Sequence, residues 1–208
     1  GEAFGPYRIV RLLGAGGMGA VYAAYDATLE REVALKLIAP HLAGDPGLRV
    51  RFVREARAQA ALDSPHVVQV FAHGEVDGRL YIASQLVPDG DLAGWMRRHG
   101  PPTPERAVDL VAQVAEGLEE AHRAGLVHRD VKAANVLLRH RGPATVAYLA
   151  DFGIATSSGS PAEDVAALAR LLWTTLTGRS VAAGPAPRLP GSGPFERAVN
   201  EVLGRALG

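Results

Sequence analysis

Two hydrophobic periods divide the chain, a spacing of two early and a spacing near 3.6 later. Tyr7-Arg8-Ile9-Val10-Arg11-Leu12-Leu13 alternates roughly with period two before a glycine cluster, and Gly19–Tyr25 and Glu32–Leu37 are β-branched or aromatic enough to follow as neighbouring strands. A helix is predicted next, with Pro46 near its start and Phe52, Ala56 and Ala60 on one stripe. It stops at Asp63-Ser64-Pro65. Val67–Phe71 and Leu80–Val87 predict two more strands, the second closed by the turn signature Pro88-Asp89-Gly90. Helical spacing then takes over. Thr103 is placed to cap a helix whose first position suits Pro104, although Arg106 stands where a capping box prefers Glu. Its stripe is Ala107, Leu110/Val111, Val114, Leu118 and Ala121, and Gly125 stops it. A further helix is predicted over Pro161–Thr177 (Val165, Leu168, Leu172, Leu176), ending at Gly178. Gly178–Pro194 reads as irregular, and a last amphipathic helix carries Phe195, Val199, Val202/Leu203 and Ala206. No internal repeat is present. Strands with one helix, followed by mostly helices, predict an α+β chain of two lobes meeting near residue 88.

Composition narrows the partners. The 208 residues are 48% hydrophobic and 21% charged, which is ordinary for a globular protein. With 22 basic and 22 acidic side chains, no overall field favours nucleic acid or an anionic membrane. The chain has no cysteine, which excludes disulfides, thiolate metal sites and cysteine nucleophiles. No stretch approaches the ~20 apolar residues of a membrane span, and no signal-peptide pattern opens the chain. The expectation is a cytoplasmic segment without membrane contact. A start at Gly1 rather than Met also fits the cytoplasmic domain of a longer protein.

Chemistry enters with Gly14-Ala15-Gly16-Gly17-Met18-Gly19, a G-x-G-x-x-G run with Val21 two residues on. Such glycines let backbone approach phosphate oxygens and turn through φ > 0. A dinucleotide-binding fold requires a helix directly after them, whereas Val21-Tyr22-Ala23-Ala24-Tyr25 reads as a strand, so the run is expected to be a hairpin lid. Lys36, in Val33-Ala34-Leu35-Lys36, is either a snorkelling surface lysine or a cation aimed at nucleotide phosphates. In the second case Glu55, the only acid inside the predicted helix, is its partner. It shares a turn with Phe52 and is expected to point inward.

His128-Arg129-Asp130-Val131-Lys132-Ala133-Ala134-Asn135 follows the long helix and precedes Val136-Leu137-Leu138, with Asp151-Phe152-Gly153 soon after. With these residues the chain resembles the protein-kinase superfamily, and its Gly-Gly-Met-Gly and Asp-Phe-Gly-Ile-Ala stretches resemble the bacterial (Hanks-type) Ser/Thr kinases. The resemblance implies a bilobal fold, with an antiparallel β-sheet lobe with one main helix (1–87) and a mostly helical, abbreviated lobe (88–208). It implies ATP and Mg²⁺ as cofactors and a protein substrate with a Ser/Thr acceptor. Asp130 would accept the proton of, or orient, the incoming hydroxyl, and Lys132 would stabilise charge on the γ-phosphoryl group. Asn135 and Asp151 offer oxygen ligands to Mg²⁺. Lys36 with Glu55 would hold the α/β-phosphates. The resemblance further implies that Leu13, Gly14, Ala15, Gly16, Gly17, Met18 and Gly19 cover the nucleotide. Val21, Ala34 and Leu137 would sandwich the adenine, and backbone groups of Gln85 and Val87 would bind its edge. His128 and Phe152 read as packing residues; His41, His66, His73, His99, His122 and His140 read as structural or solvent-exposed.

Several positions depart from the family pattern. Ser84 stands where a bulkier residue usually guards the back of the adenine pocket, and Gln59 where an apolar residue is usual. Asp164 matches the aspartate that braces the catalytic loop from the central helix. Only residues 154–163 separate it from Gly153, with no Ala-Pro-Glu motif, and the terminal helices are shortened. Thr156, Ser157, Ser158 and Ser160 are the hydroxyls left in that segment, as phosphate acceptors beside Arg129 or as a flexible connector. The readings left open are a minimal active kinase, a nucleotide-binding pseudokinase serving as a signalling or scaffold module, a chain with stretches missing, and a small-molecule phosphotransferase.

Overall fold

A computed structural model of the chain describes residues 2–44, 46–153, 159–181 and 187–207. Two compact units emerge: the described residues up to Asp63 with Val68–Pro88, and Ser64–Val67 with Asp89–Gly153 and the described residues from Gly159 on.

The first unit is an antiparallel sheet of β1 (Ala3–Phe4), β2 (Tyr7–Gly16), β3 (Gly19–Asp26), β4 (Arg31–Ile38), β5 (Val70–Val76) and β6 (Arg79–Gln85), ordered β1-β2-β3-β4-β6-β5. A short helix α1 (Pro40–Ala43) precedes α2 (Pro46–Ala60). Side chains of a strand alternate between faces, and β4 shows the consequence. Val33, Leu35 and Leu37 are buried with Tyr7, Ala24 and Ala83 on one face. On the other, Ile38 joins Ile82, Leu80 and Val70 beneath Phe52 and Ala56 of α2. Phe52 is fully buried, worth about 1.5–3 kcal/mol over an exposed position. Gln59 is a buried polar residue of α2: its Nε2 donates to the Val68 carbonyl at 3.3 Å, which gives the buried amide a partner. Arg49 ties the start of α2 to β5 by a bidentate pair with Glu75 (Nη2–Oε1 2.9 Å). At 38% and 39% side-chain exposure, such a pair contributes only about 0–1 kcal/mol.

The strand predicted over Val67–Phe71 starts later, at Val70. Its first residues are drawn elsewhere: Val68 O receives Gln59, Gln69 O receives the Gln85 amide, and Val67 makes a lone parallel bridge to Leu149.

The second unit contains α3 (Leu92–His99), α4 (Pro104–Arg123), a 3₁₀ turn (Ala133–Asn135), the hairpin β7 (Val136–Arg141) and β8 (Ala144–Leu149), α5 (Pro161–Thr177) and α6 (Pro194–Leu207). Thr103 caps α4 as expected, its hydroxyl accepting from the Arg106 amide at 3.4 Å, with Pro104 in the first turn. Ser160 opens α5 through a reciprocal capping box with Glu163, and Gly178 ends it at φ 70°. Val199 and Leu203 of α6 pack against Ala169 of α5. No described helix is long and apolar enough to cross a membrane.

Candidate active site

In the first unit the glycine run occupies the β2–β3 hairpin, paired Gly14–Val21, Ala15–Ala20 and Gly16–Gly19. The register slips between Leu12 and Gly14, so Leu13 is the extra residue of a bulge. It is 40% exposed, and Met18 at the tip 39%. The glycines differ in what demands them. Gly19 has φ 134°, and a Cβ there would lie 1.9 Å from the Leu37 carbonyl oxygen. A Cβ on Gly14, Gly16 or Gly17 would meet nothing within 4 Å. Those three are therefore not required by the packing of their own chain. Their bare backbone suits a group brought in from outside.

Val21 of β3 lies opposite Lys36 of β4, Ala23 opposite Ala34, and Ala34 opposite Ser84 of β6. Residues directly opposite share a face, so Val21, Ala34, Lys36 and Ser84 form one strip of the sheet. Ile82 lies opposite Lys36 and packs in the cluster beneath α2, so this is the face that carries α2. Glu55, on that helix between Phe52 and Ala56, is only 4% exposed. A carboxylate so placed is inward, as its spacing predicts. The Ser84 hydroxyl donates to the Ala34 carbonyl at 3.4 Å. The Gln85 amide donates to Gln69 O at 2.9 Å, leaving its carbonyl as the group it offers a ligand, and Val87 is buried.

In the second unit three predicted residues meet at one carboxylate. Asp130 Oδ2 accepts from Lys132 Nζ at 2.7 Å and from Asn135 Nδ2 at 3.0 Å, while Asn135 Nδ2 also reaches Asp130 O at 2.8 Å. Asn135 is buried with its amide nitrogen committed, so its Oδ1 is the atom left to act as a hard-cation ligand. Asp151 is exposed and has φ 61°, a left-handed backbone at which the chain turns before Phe152. Leu137 sits on β7, opposite Tyr148 and bridged to Asp91. Among the described residues, no group of three or more His, Cys, Asp or Glu is arranged to hold a metal. One aspartate with one asparagine suits a cation that brings further oxygen ligands of its own, as Mg²⁺ does with phosphates and waters.

The loop carrying these groups is held from below. Asp164, 1% exposed at the start of α5, accepts from the His128 amide (2.7 Å, Oδ2) and the Arg129 amide (2.7 Å, Oδ1). These bonds sustain Arg129 at φ 67°, a conformation that costs a non-glycine residue about 1–2 kcal/mol. His128 is fully buried. Its Nε2 lies 2.9 Å from the Ala150 carbonyl and its Nδ1 accepts from the Asp130 amide at 3.2 Å. That pattern requires the neutral Nε2–H tautomer, and burial pushes the imidazole below its ordinary value, only partly opposed by the Ala150 carbonyl. The ring lies 4.6 Å from Phe152, so both act in packing and in tying the loop to Asp151.

Of the two readings open for His122, structural or solvent-exposed, the structure favours the first: its Nε2 stands 2.8 Å from Asp164 Oδ2 and its side chain is only 18% exposed. Thr156, Ser157 and Ser158 lie outside the described residues; Ser160 is the N-cap of α5.

The model of the protein kinase domain matches residues 7–176. The chain is 49% identical over 158 residues to the serine/threonine-protein kinase PknE of Mycobacterium bovis, covering 76% of this chain and 27% of that protein. It is 46% identical over 158 residues to PknH of the same organism, covering 76% and 26%. The chain thus spans about a quarter of the length of these curated relatives. Among solved structures, the kinase domain of Mycobacterium tuberculosis PknI, a C20A mutant, superposes with a TM-score of 0.85 at 34% identity. The match covers 100% of this chain and 89% of that one.

Proposed function

The chain belongs to the protein kinase family, and on that premise we propose that it moves the γ-phosphate of ATP to Ser/Thr hydroxyls of protein. The observation that carries the reading is the Asp130 carboxylate with Lys132 and Asn135 at 2.7 and 3.0 Å, on a loop anchored by buried Asp164. Phosphoryl transfer asks a protein mainly to position groups and neutralise charge. Asp130 orients the acceptor hydroxyl and takes its proton as the new O–P bond forms and the bond to the β-phosphate breaks. Lys132 leaves its ion pair with Asp130 to counter charge on the transferring group.

Protein kinases generally use Mg²⁺ with ATP, and Asn135 Oδ1 and the Asp151 carboxylate are the oxygens that would hold it. The ion would supply charge neutralisation at the phosphates. In the first unit, the open backbone of Leu13–Gly19 covers phosphate and Lys36, steadied by Glu55, takes the α/β-phosphates. Val21 and Ala34 give the adenine an apolar surface, while the Gln85 carbonyl and Val87 backbone take its edge. The site residues and the division at residue 88 belong to this reading.

One observation favours a second reading, an ATP-binding pseudokinase: α5 begins at Pro161, eight residues after Gly153, leaving little chain to dock a peptide. A transfer assay with Mg-ATP on the chain itself and on a generic basic protein tests the proposal. Labelled protein supports it, ATP binding without transfer favours the pseudokinase, and labelling of a small metabolite alone favours a small-molecule phosphotransferase.

A further inference from the structure

We propose that Arg49 and Gln59 are positioning residues for nucleotide binding, acting through Glu55 by fixing how α2 sits on the sheet; this rests on the function proposed above. Between its ends α2 meets the sheet through Leu48, Phe52 and Ala56, packed with Ile38, Val70, Leu80 and Ile82. Burial of that kind is non-directional, so it holds the helix down without deciding its rotation or its slide. Direction comes from two polar attachments. At the start of α2, the Arg49 guanidinium meets Glu75 near the far end of β5 (Nη2–Oε1 2.9 Å), and its Nε donates to the Ala43 carbonyl of α1 at 3.0 Å. In the last turn, Gln59 Nε2 donates to the Val68 carbonyl, just before β5 opens, at 3.3 Å.

The two attachments stand about 15 Å apart along the helix, and Glu55 lies between them. Lys36 belongs to the strip of sheet that carries α2, so a helix fastened at both ends keeps the Glu55 carboxylate turned towards it. The pair Arg49–Glu75 is 38% and 39% exposed, so it can be exchanged without disturbing the core. The carbonyl next to Val68, that of Gln69, receives the Gln85 amide at 2.9 Å. A disturbance of that stretch, rather than of α2, would therefore reach the adenine edge.

The test measures ATP and adenosine affinities by calorimetry for four proteins. These are wild type, Arg49→Glu, the exchanged pair Arg49→Glu/Glu75→Arg, and Gln59→Met, which fills a similar volume without donating. ATP should weaken about threefold in Arg49→Glu, where the lost pair is exposed, and about fivefold in Gln59→Met, where the lost hydrogen bond is buried. Adenosine should change less than twofold in both, because Glu55 and Lys36 act on the phosphates. The exchanged pair should recover ATP affinity to within about twofold of wild type. In a Glu55→Gln background neither substitution should weaken ATP further, since the residue through which they act is gone. Unchanged ATP affinity in either single variant overturns the inference. So do equal losses for ATP and adenosine, which mark a general loosening or a route through Gln85, full additivity with Glu55→Gln, or no recovery in the exchanged pair. Wild type without affinity for ATP overturns the proposed function and this inference with it; wild type that binds ATP, with any of the preceding results, overturns the inference alone.

Discussion

The glycine hairpin offers a way to separate what the fold needs from what a nucleotide needs. At Gly19 an alanine meets two penalties. Its φ of 134° lies where L-residues are strained by about 1–3 kcal/mol, and its Cβ would stand 1.9 Å from Leu37 O. Relief requires the β3–β4 backbone to part by more than 1 Å, costing on the order of one further hydrogen bond, about 1 kcal/mol. Gly19→Ala should therefore lose about 2–4 kcal/mol, a fall in Tm of about 5–15 °C for a chain of this size. Gly16 has no positive φ and nothing within 4 Å of its would-be Cβ. Gly16→Ala should leave the empty chain as stable or about 0.4–1 kcal/mol more so, by restricting the unfolded state. If phosphate approaches this backbone, the same methyl group should weaken ATP by about tenfold, or roughly 1.4 kcal/mol. Thermal unfolding without nucleotide and ATP titration by calorimetry read the two effects separately. A Gly19→Ala protein as stable as wild type would refute the steric reasoning, and a Gly16→Ala protein with unaltered ATP affinity would refute the role of the loop.

Two more outcomes follow from single side chains. Ser84 is small and half-buried, its hydroxyl bonded to Ala34 O; Ser84→Met should weaken enlarged adenine-site inhibitors at least tenfold while changing ATP affinity less than twofold, read by competition binding. His128 is neutral in the fold because burial depresses its pKa, so the unfolded chain binds the extra proton first. Its contribution to stability is complete above its ordinary pKa of 6.5 and is lost as pH falls below it through the depressed folded value. Wild-type Tm should therefore drop more steeply than that of His128→Gln between pH 7 and pH 5.

Local signals were the legible ones. Thr103-Pro104 and Ser160-Pro161 announce α4 and α5 because capping is decided within four residues, and β4 is readable because Val33, Leu35 and Leu37 alternate. Helix α3 was not foreseen: only Leu92 of its eight residues is buried, so no stripe marks it, and its cap Asp91 lies beside a turn signal. Of the β7–β8 hairpin only Val136-Leu137-Leu138 was singled out, although Gly142-Pro143 directly before Ala144 is a turn signal. Motif spacing identified Asp130, Lys132 and Asn135, but not why they converge. The loop that carries them has a left-handed Arg129 bonded to a carboxylate 35 residues away, and the same carboxylate meets His122, 42 residues upstream of it. Long-range pairs of this sort leave no trace in a window of sequence.

The central claim is that Asp130 serves transfer rather than nucleotide binding. Rates of γ-phosphate transfer and ATP affinities measured side by side for wild type and Asp130→Asn test it most directly. The account predicts a fall of about 10²–10⁴-fold in transfer with ATP affinity nearly intact. Equal transfer rates in the two proteins would contradict it.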